Sequence, residues 1–269
     1  MAAGARRRLR SLISKRYMER SRPLQILGSR VDPVGMEEAQ QRIAGLLAQH
    51  RFAQVVTFGS EMAMLARRDA AYREAVNAAD LVVPDTVGVV IAARLLGQPV
   101  RERVAGIELV ENICEACASN GTLIFLLGGA EGVAQQAGDA LVRRHPGLKI
   151  GGTHNGYFSD ADDARVIQRI AASGAQLVFV ALGFPKQELW VRAHASELGP
   201  VVCIGIGGSL DVISGRLHRA PALMRKLGLE WLYRLVKEPQ RLRRQLALPQ
   251  FAFLITGQAL RERLRSKPA

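Results

Sequence analysis

Near-continuous apolar runs, each followed by a helix-like segment, most constrain the fold of this chain. In chain order the runs are AQVVTF, LVVPD, TLIFLLGG, LKIGG, AQLVFVALG and PVVCIGIGG. Strands buried on both faces have this pattern, whereas a half-exposed strand alternates apolar and polar residues. Because helical periodicity separates the runs, the sequence predicts an α/β fold with a Rossmann-like, mostly parallel sheet and helices on both faces.

Polar and loop-forming residues end each apolar run. Ligands of α/β proteins bind where loops leave the carboxyl ends of parallel strands. We therefore expect a single rim to collect these positions: Thr57–Gly59, Pro84–Asp85, Gly128–Gly129, Gly151–Gly152, Gly183–Pro185 and Gly205–Gly208.

Asp85 directly follows the apolar run that starts at Leu81, so it lies on the predicted rim. A carboxylate in that place has three open roles: it can cap a helix, hold a sugar or accept a proton. The residues around it do not by themselves choose between these roles.

Three glycines, Gly128, Gly129 and Gly132, lie between a predicted strand and the next helix. Backbone N–H groups at such a helix start suit a phosphate, although a tight strand-to-helix turn needs glycine for its geometry alone. The segment lacks the G-x-G-x-x-G spacing of dinucleotide-binding folds, and no P-loop motif occurs. This weighs against the competing class of nicotinamide oxidoreductases.

The segment ALGFPKQELW places three polar residues in a first helical turn at a strand end. Lys186, Gln187 and Glu188 there offer a cation, an amide and a carboxylate to one ligand. The alternative is that Glu188 only favours the helix dipole while Lys186 is solvated.

The sequence supports neither a metal nor a cofactor. It has no nucleophile-elbow signature, no H-E-x-x-H and no D-x-D acid pair at a strand end. Cys114 and Cys117 form a C-x-x-C within a helical pattern, without a second ligand pair. We interpret them as buried structural thiols, which a reducing cytosol suits.

The net charge of +13 is concentrated at the two ends of the chain. Residues 1–30 hold nine Lys or Arg and one acid, residues 216–269 hold thirteen and three, and the part between carries −5. Such ends suit an anionic membrane surface or a pyrophosphate. With 5% aromatic residues, the basic and aromatic interleaving of an RNA-binding sheet is missing, so no nucleic-acid partner is expected.

Charge and pattern together predict three domains. Residues 1–22 are a basic N-terminal arm without the apolar core of a secretory signal. Residues 23–215 form the Rossmann-like body, and residues 216–269 form a basic helical appendage. No apolar run reaches the eighteen or so residues that a membrane-spanning helix needs.

The segments that carry a family resemblance lie between Leu24 and Arg244. They are VVTFGSEMAMLARRD, ADLVVPDTVGVVIAARLLG, ERVAGIEL, FLLGGAEGVA, HNGYF, ALGFPKQELW, GIGGSLDVISGRLHRAP and LGLEWLYRLVKEPQRL. Together they resemble the WecG/TagA/CpsF family of bacterial glycosyltransferases (glycosyltransferase family 26). The resemblance implies a metal-independent, inverting transfer of a sugar from a UDP donor to a polyprenyl-pyrophosphate-linked saccharide. It also implies work in cell-surface or exopolysaccharide synthesis, at the cytoplasmic, inner face of the plasma membrane.

The resemblance also assigns roles to residues. The family's proposed catalytic base matches Asp85, and its rim residues match Thr57, Arg103 and Gln187. Its uridine contacts match Tyr157 and Asp211, beside the nucleotide-binding candidates Gly128, Gly129, Gly132 and Lys186. The family's basic tail, which faces the acceptor pyrophosphate and the membrane, matches Arg216, Arg219, Arg225, Arg234, Arg241 and Arg244.

Two positions depart from the family pattern next to the expected active centre. Gly59 stands where an asparagine is usual, and Thr86 stands where a glycine usually follows the aspartate. They keep open a non-catalytic UDP-sugar-binding or scaffold protein. The donor sugar, the acceptor saccharide and association into a homo-oligomer also stay open.

Overall fold

The computed structural model describes residues 23–98, 100–221, 223–224, 230–237 and 246–265. Its first half contains the following elements: β1 (Leu24–Ile26), β2 (Ser29–Val31), α1 (Met36–Leu47), β3 (Ala53–Phe58), α2 (Ser60–Ala66), α3 (Ala70–Asn77), β4 (Leu81–Pro84), α4 (Val87–Leu95) and α5 (Gly106–Asn120). The second half contains β5 (Leu123–Gly128), α6 (Val133–Arg144), β6 (Lys149–His154), α7 (Asp163–Ala172), β7 (Leu177–Ala181), α8 (Lys186–Ala193), β8 (Val202–Gly205), α9 (Ser209–Ile213), α10 (Glu230–Lys237) and α11 (Ala247–Arg265).

Six strands form one sheet in the order β4-β3-β8-β7-β5-β6, and every neighbouring pair is parallel. The predicted α/β class with a mostly parallel sheet is therefore confirmed. The carboxyl ends of β3, β4, β7 and β8 lie side by side at one edge, because parallel strands in register end at the same side of a sheet.

Strand residues alternate between two apolar layers. Val55 and Val83 pack with α1, α5 and α6, whereas Val56 and Phe58 pack with α2, α3 and α4 on the opposite face. A parallel sheet covered on both faces accounts for the near-continuous apolar runs of the sequence.

The segment LQILGSRVD, for which the sequence predicts one strand, is an antiparallel hairpin of β1 and β2. The chain reverses at Leu27 and Gly28, both of which have positive φ. Beyond the hairpin, the buried Asp32 accepts a hydrogen bond from the N–H of Val82 at 2.8 Å. The hairpin is thereby tied to β4, the strand that leads to Asp85.

Helix α11 packs on the body through one face. Phe251 and Ile255 are 4% and 2% exposed against α2 and α4, whereas Phe253 is 79% exposed. This part of residues 216–269 therefore shares the apolar core of the body. The division of the chain at residues 22 and 215 stays a prediction.

In the part of the chain that the structure describes, no helix has both the length and the apolar character needed to cross a bilayer. All three cysteines are free and buried. Burial raises the pKa of the Cys117 thiol to about 11 and that of Cys203 to about 12. The interpretation of Cys114 and Cys117 as buried thiols is confirmed.

Candidate active site

Asp85 lies directly after β4 and is half-buried at the carboxyl edge of the sheet. Its backbone N–H donates to the carbonyl of Phe58 at 2.9 Å, and its Oδ1 accepts from the N–H of Gly106 at 2.8 Å. Gly106 is the first residue of α5, so the carboxylate stands at the positive end of that helix dipole. The capping role is thus real, but the capped helix is α5 and not α4, which begins two residues after Asp85.

Thr57 lies next to this centre, on β3. Its Oγ1 donates to the carbonyl of Gly205 at 2.7 Å and is buried beneath α5. A Cβ added to Gly106 would lie 3.6 Å from the Thr57 side chain and 3.8 Å from Oγ of Ser209. The structure therefore brings Asp85, Thr57 and the starts of α5 and α9 together, as the rim prediction expects for the first two.

The two departures from the family pattern contact each other. A Cβ on Gly59 would lie 3.1 Å from Cγ2 of Thr86. Oγ1 of Thr86 accepts from the N–H of Ser60 and shares a second hydrogen bond with its hydroxyl, both at 3.2 Å. Gly59 therefore leaves room for the methyl group of Thr86 beside Asp85.

Gln187 is buried instead of standing on the rim. Its Nε2 donates to Oε1 of Glu188 at 2.6 Å, and its Oε1 accepts from the N–H of Gly207 at 3.1 Å. A Cβ on Gly205 would lie only 2.7 Å from Nε2, so the side chain fills the space directly over β8. Gln187 therefore braces the loop between β8 and α9.

Lys186 points elsewhere. Its Nζ lies 4.5 Å from the centre of the Phe158 ring and donates to the Phe158 carbonyl at 3.3 Å. Phe158 follows β6, whereas Gln187 and Glu188 pack over β8 and β3. The structure does not bring Lys186, Gln187 and Glu188 to one ligand, because successive helix residues face different sides of the helix axis.

The glycine turn after β5 is tightly packed. Gly128 has φ +133, and a Cβ there would collide with the carbonyl oxygen of Ala181. The N–H of Gly156 donates to the carbonyl of Gly129 at 2.8 Å, which holds the loop of Tyr157 against the turn. Gly132 caps α6 without a side-chain bond, and Tyr157 is 83% exposed. Gly128 is therefore explained by the geometry of the tight turn, whereas the N–H groups at the start of α6 remain candidates for binding a phosphate.

Arg103 is joined to the tail. Its Nη1 lies 3.2 Å from Oε2 of Glu230, the first residue of α10. It also lines a cavity of about 290 Å³, whose other lining residues are Met36, Glu102, Glu108, Glu111 and Asn112. Arg219 makes a second link, since its Nη2 donates to Oε1 of Glu108. The tail thus reaches the loop and the helix start that border Asp85.

A model described as "Glycosyl transferase WecG/TagA/CpsF family" matches residues 24–265. The chain belongs to the WecG/TagA/CpsF glycosyltransferase family.

Relatives of known activity agree with this membership. The chain is 35% identical over 222 residues to an N-acetylglucosaminyldiphosphoundecaprenol N-acetyl-beta-D-mannosaminyltransferase of Bacillus spizizenii, covering 82% of this chain and 84% of that protein. It is 37% identical over 201 residues to a protein of the same name from Staphylococcus aureus, covering 75% and 78%. The predicted family resemblance is confirmed, and the chain is a glycosyltransferase by family.

In this WecG/TagA/CpsF glycosyltransferase, the remaining predicted site residues are Asp211 and the arginines of the tail. Asp211 is half-buried on α9, which packs on α5 and α6, and its carbonyl accepts the N–H of Leu217 at 2.9 Å. Arg216 is exposed just beyond α9. Other tail arginines lie outside the described residues or side chains: Arg225, Arg234, Arg241 and Arg244.

Sequence reasoning missed two participants at this centre of the glycosyltransferase. Gly106 supplies the N–H that holds Asp85, and Ser209 lies beside Thr57. The glycine of "VAGIEL" is the one available signal, since a glycine at a helix start permits close approach of another chain segment.

Proposed function

We propose that this protein is an inverting, metal-independent glycosyltransferase that moves a sugar from a UDP donor to a polyprenyl-pyrophosphate-linked saccharide. The observation that carries the proposal is the Asp85 carboxylate, fixed by Gly106 at the edge where β3, β4 and β8 end. The names of the relatives support N-acetylglucosaminyl-diphosphoundecaprenol as the acceptor and N-acetylmannosamine as the first sugar to test.

Asp85 acts as the general base of a single displacement. It takes the proton of the acceptor hydroxyl, whose oxygen bonds to the anomeric carbon while the bond from that carbon to the UDP oxygen breaks. Attack from the face opposite to the leaving group inverts the configuration. The N–H of Gly106, 2.8 Å from Oδ1, keeps the carboxylate in one orientation during this step.

Arginines stabilise the negative charge that develops on the departing UDP. Arg103 lies in the loop before α5 and holds Glu230, a carboxylate that a phosphate can replace. Arg216 and Arg219 lie just beyond α9, where they suit the acceptor pyrophosphate. No D-x-D pair stands at a strand end, since Asp160 and Asp162 lie in the turn before α7, and this agrees with charge stabilisation by arginine.

The uridine and the diphosphate lie on the β5–β6 side of this site. Tyr157 offers an exposed ring for stacking, Asp211 offers a carboxylate, and the start of α6 at Gly132 offers N–H groups. Gly132 precedes α6 and Asp211 lies on α9, and these two helices pack on each other, while Gly156, next to Tyr157, bonds to the carbonyl of Gly129. One donor can therefore span them.

We place the reaction at the inner face of the plasma membrane, with the chain as a peripheral protein. Residues 216–269 carry thirteen Lys or Arg against three acids. The outward face of α11 presents the exposed apolar side chains Phe253, Leu260 and Leu264. Basic and apolar groups together favour an anionic lipid surface, where a polyprenyl-linked acceptor resides.

A second candidate, a non-catalytic UDP-sugar-binding or scaffold protein, is favoured by one observation. Gly59 and Thr86 change the surroundings of Asp85 together. Such a protein would bind a UDP-sugar without releasing UDP in the presence of acceptor.

The test is a screen of donors with the purified chain. UDP-linked N-acetylmannosamine, its uronic acid, glucose and glucuronic acid are each offered with a polyprenyl-pyrophosphate-linked N-acetylglucosamine, and UDP release is measured. We expect acceptor-dependent release with one donor, unchanged by EDTA. Binding without release would support the scaffold alternative, and neither binding nor release would contradict both.

A further inference from the structure

Glu188 is a buried carboxylate for which the proposed reaction has no use. Its side chain is 1% exposed on the inner face of α8, and burial raises its pKa to about 7. The Gln187 amide, the backbone of Glu188 and the neighbouring Tyr72 hydroxyl partly offset that rise in pKa. Burial of an ionised carboxylate is costly unless the group is paired or hydrogen-bonded, so the contacts of Glu188 decide its role.

Three elements surround this carboxylate. Helix α3 presents Tyr72, β3 presents Gln54, whose Nε2 donates to the Glu188 carbonyl at 3.1 Å, and β8 presents the backbone of Gly205. Asp69, at the start of α3, adds negative charge near Tyr72. Burial and Glu188 raise the pKa of Tyr72, so its hydroxyl stays protonated.

The Tyr72 hydroxyl and Oε2 of Glu188 have no hydrogen bond of ordinary geometry within the described residues, although they lie side by side. The carboxylate therefore makes its well-defined side-chain hydrogen bond through Oε1, which accepts from Gln187. This contact leads out of the buried cluster.

Gln187 connects Glu188 to the loop between β8 and α9. Its Nε2 donates to Oε1 of Glu188 at 2.6 Å and its Oε1 accepts from the N–H of Gly207 at 3.1 Å. An amide offers donors on one side and an acceptor on the other, so the carboxylate fixes which side faces Gly207. If the amide turned over, its NH₂ would face the N–H of Gly207, donor against donor.

The loop held in this way borders the active centre. Gly205, under the Gln187 amide, accepts from Oγ1 of Thr57 at 2.7 Å on the opposite face of the sheet. Thr57 packs on Gly106, which donates to Asp85 at 2.8 Å. Helix α9, which carries Asp211, begins two residues after Gly207.

We propose that Glu188 is a positioning residue of the transfer reaction, which acts through Gln187 and the N–H of Gly207 on the β8–α9 loop. The inference rests on the proposed function for its effect on catalysis. Its structural part, the coupling of Glu188 to Gly207, holds independently of the reaction.

The coupling depends on the charge of Glu188. An ionised carboxylate accepts the Gln187 hydrogen bond with roughly twice the strength of a neutral group. When Glu188 gains a proton, the bond weakens and the amide orients Gly207 less firmly. The loop therefore loosens as the pH falls through about 7, the pKa of Glu188.

The coupling is tested first without any substrate. Amide signals of Gly207 and the side-chain NH₂ of Gln187 are followed by NMR across the pH range in the full chain. We expect the chemical shifts of both signals to change with a midpoint near pH 7 in the wild type. In Glu188→Gln, which has no titrating group at position 188, we expect both chemical shifts to stay constant over this pH range. A Gly207 signal that does not titrate in the folded wild type overturns the proposal.

The effect on catalysis is tested by pH profiles of UDP release. We expect Glu188→Gln to lower kcat roughly 10- to 100-fold with little change in KM. We also expect the variant to lose the fall in the rate of UDP release that wild type shows as the pH drops through about 7. Glu197→Gln is the matched control, because Glu197 is an exposed acid shortly after α8 that bonds His194. A Glu188→Gln profile like that of wild type overturns the positioning role. A wild type without transfer overturns the proposed function instead, and the NMR titration still decides the coupling.

Discussion

At the scale of single residues, Asp85 combines a structural contact with the chemical role that we propose for it. Its Oδ1 holds the first N–H of α5, a helix that begins 21 residues later in the chain. A local pattern shows only the helix that follows Asp85 directly, so the sequence could predict a cap or a base but not which helix is capped. The same carboxylate, held in this way, is oriented for proton transfer.

Asparagine separates the two roles of Asp85. Asp85→Asn keeps an oxygen that accepts the Gly106 hydrogen bond but cannot take a proton, so we expect transfer to fall about 10²–10⁴-fold with the fold retained. Turnover and thermal unfolding are measured together. Asp85→Ala, which also loses the acceptor, should show a lower Tm as well, and near-normal turnover of Asp85→Asn would refute the base assignment.

Glu188 makes a second prediction, for stability. The pKa of Glu188 rises from 4.5 to about 7 on folding. Below about pH 4.5 the carboxyl group is protonated in both the folded and the unfolded state, so its burial does not lower the stability through its charge. As the pH rises from about 4.5 through about 7, the unfolded chain loses the proton easily and the folded chain does not, so stability is lost, on the order of 3 kcal/mol in total.

Urea unfolding of wild type and Glu188→Gln at pH 5 and pH 8 measures this loss. The variant lacks the titrating group of Glu188. The difference between its free energy of unfolding and that of wild type should therefore shift in favour of the variant as the pH rises from 5 to 8. Other ionisable groups cancel in the difference. A difference that is the same at both pH values would show that Glu188 is not buried as described.

At the scale of elements, the strands follow from the sequence because a doubly covered sheet demands apolar runs. The run AQVVTF, for example, coincides with β3. The hairpin of β1 and β2 does not follow from the pattern, because it depends on positive φ at Leu27, a residue that rarely adopts it. The sequence predicts Gln187 and Glu188 on the rim, but both are buried, because the β8–α9 loop packs on Gln187 and Tyr72 of α3 packs on Glu188.

Helix α11 offers a matched pair of substitutions. Phe251 is buried against α2 and α4, and Phe253, two residues further, is exposed. Phe251→Ala should lower the free energy of unfolding by about 3–5 kcal/mol, and Phe253→Ala by no more than about 0.5 kcal/mol. Denaturant unfolding of the full chain measures both, and equal losses would show that α11 does not share the core of the body.

At the scale of the whole molecule, an acidic body carries basic ends, and ion pairs bring the tail to the candidate active site. Arg103 holds Glu230, and Arg219 holds Glu108 at the start of α5. The sequence predicts the charge distribution but not these pairs, since they join residues more than a hundred positions apart. They place part of the basic tail next to the elements that border Asp85.

The central claim is sugar transfer to a lipid-linked acceptor with Asp85 as base. Its most direct measurement incubates the full chain with radiolabelled UDP-N-acetylmannosamine and a polyprenyl-pyrophosphate-linked N-acetylglucosamine, and counts label in the lipid extract. We predict label in the lipid for wild type, with inverted anomeric configuration, and at least about 100-fold less for Asp85→Asn. Equal labelling by both proteins, or label that stays on the nucleotide with every UDP-sugar offered, would contradict the claim.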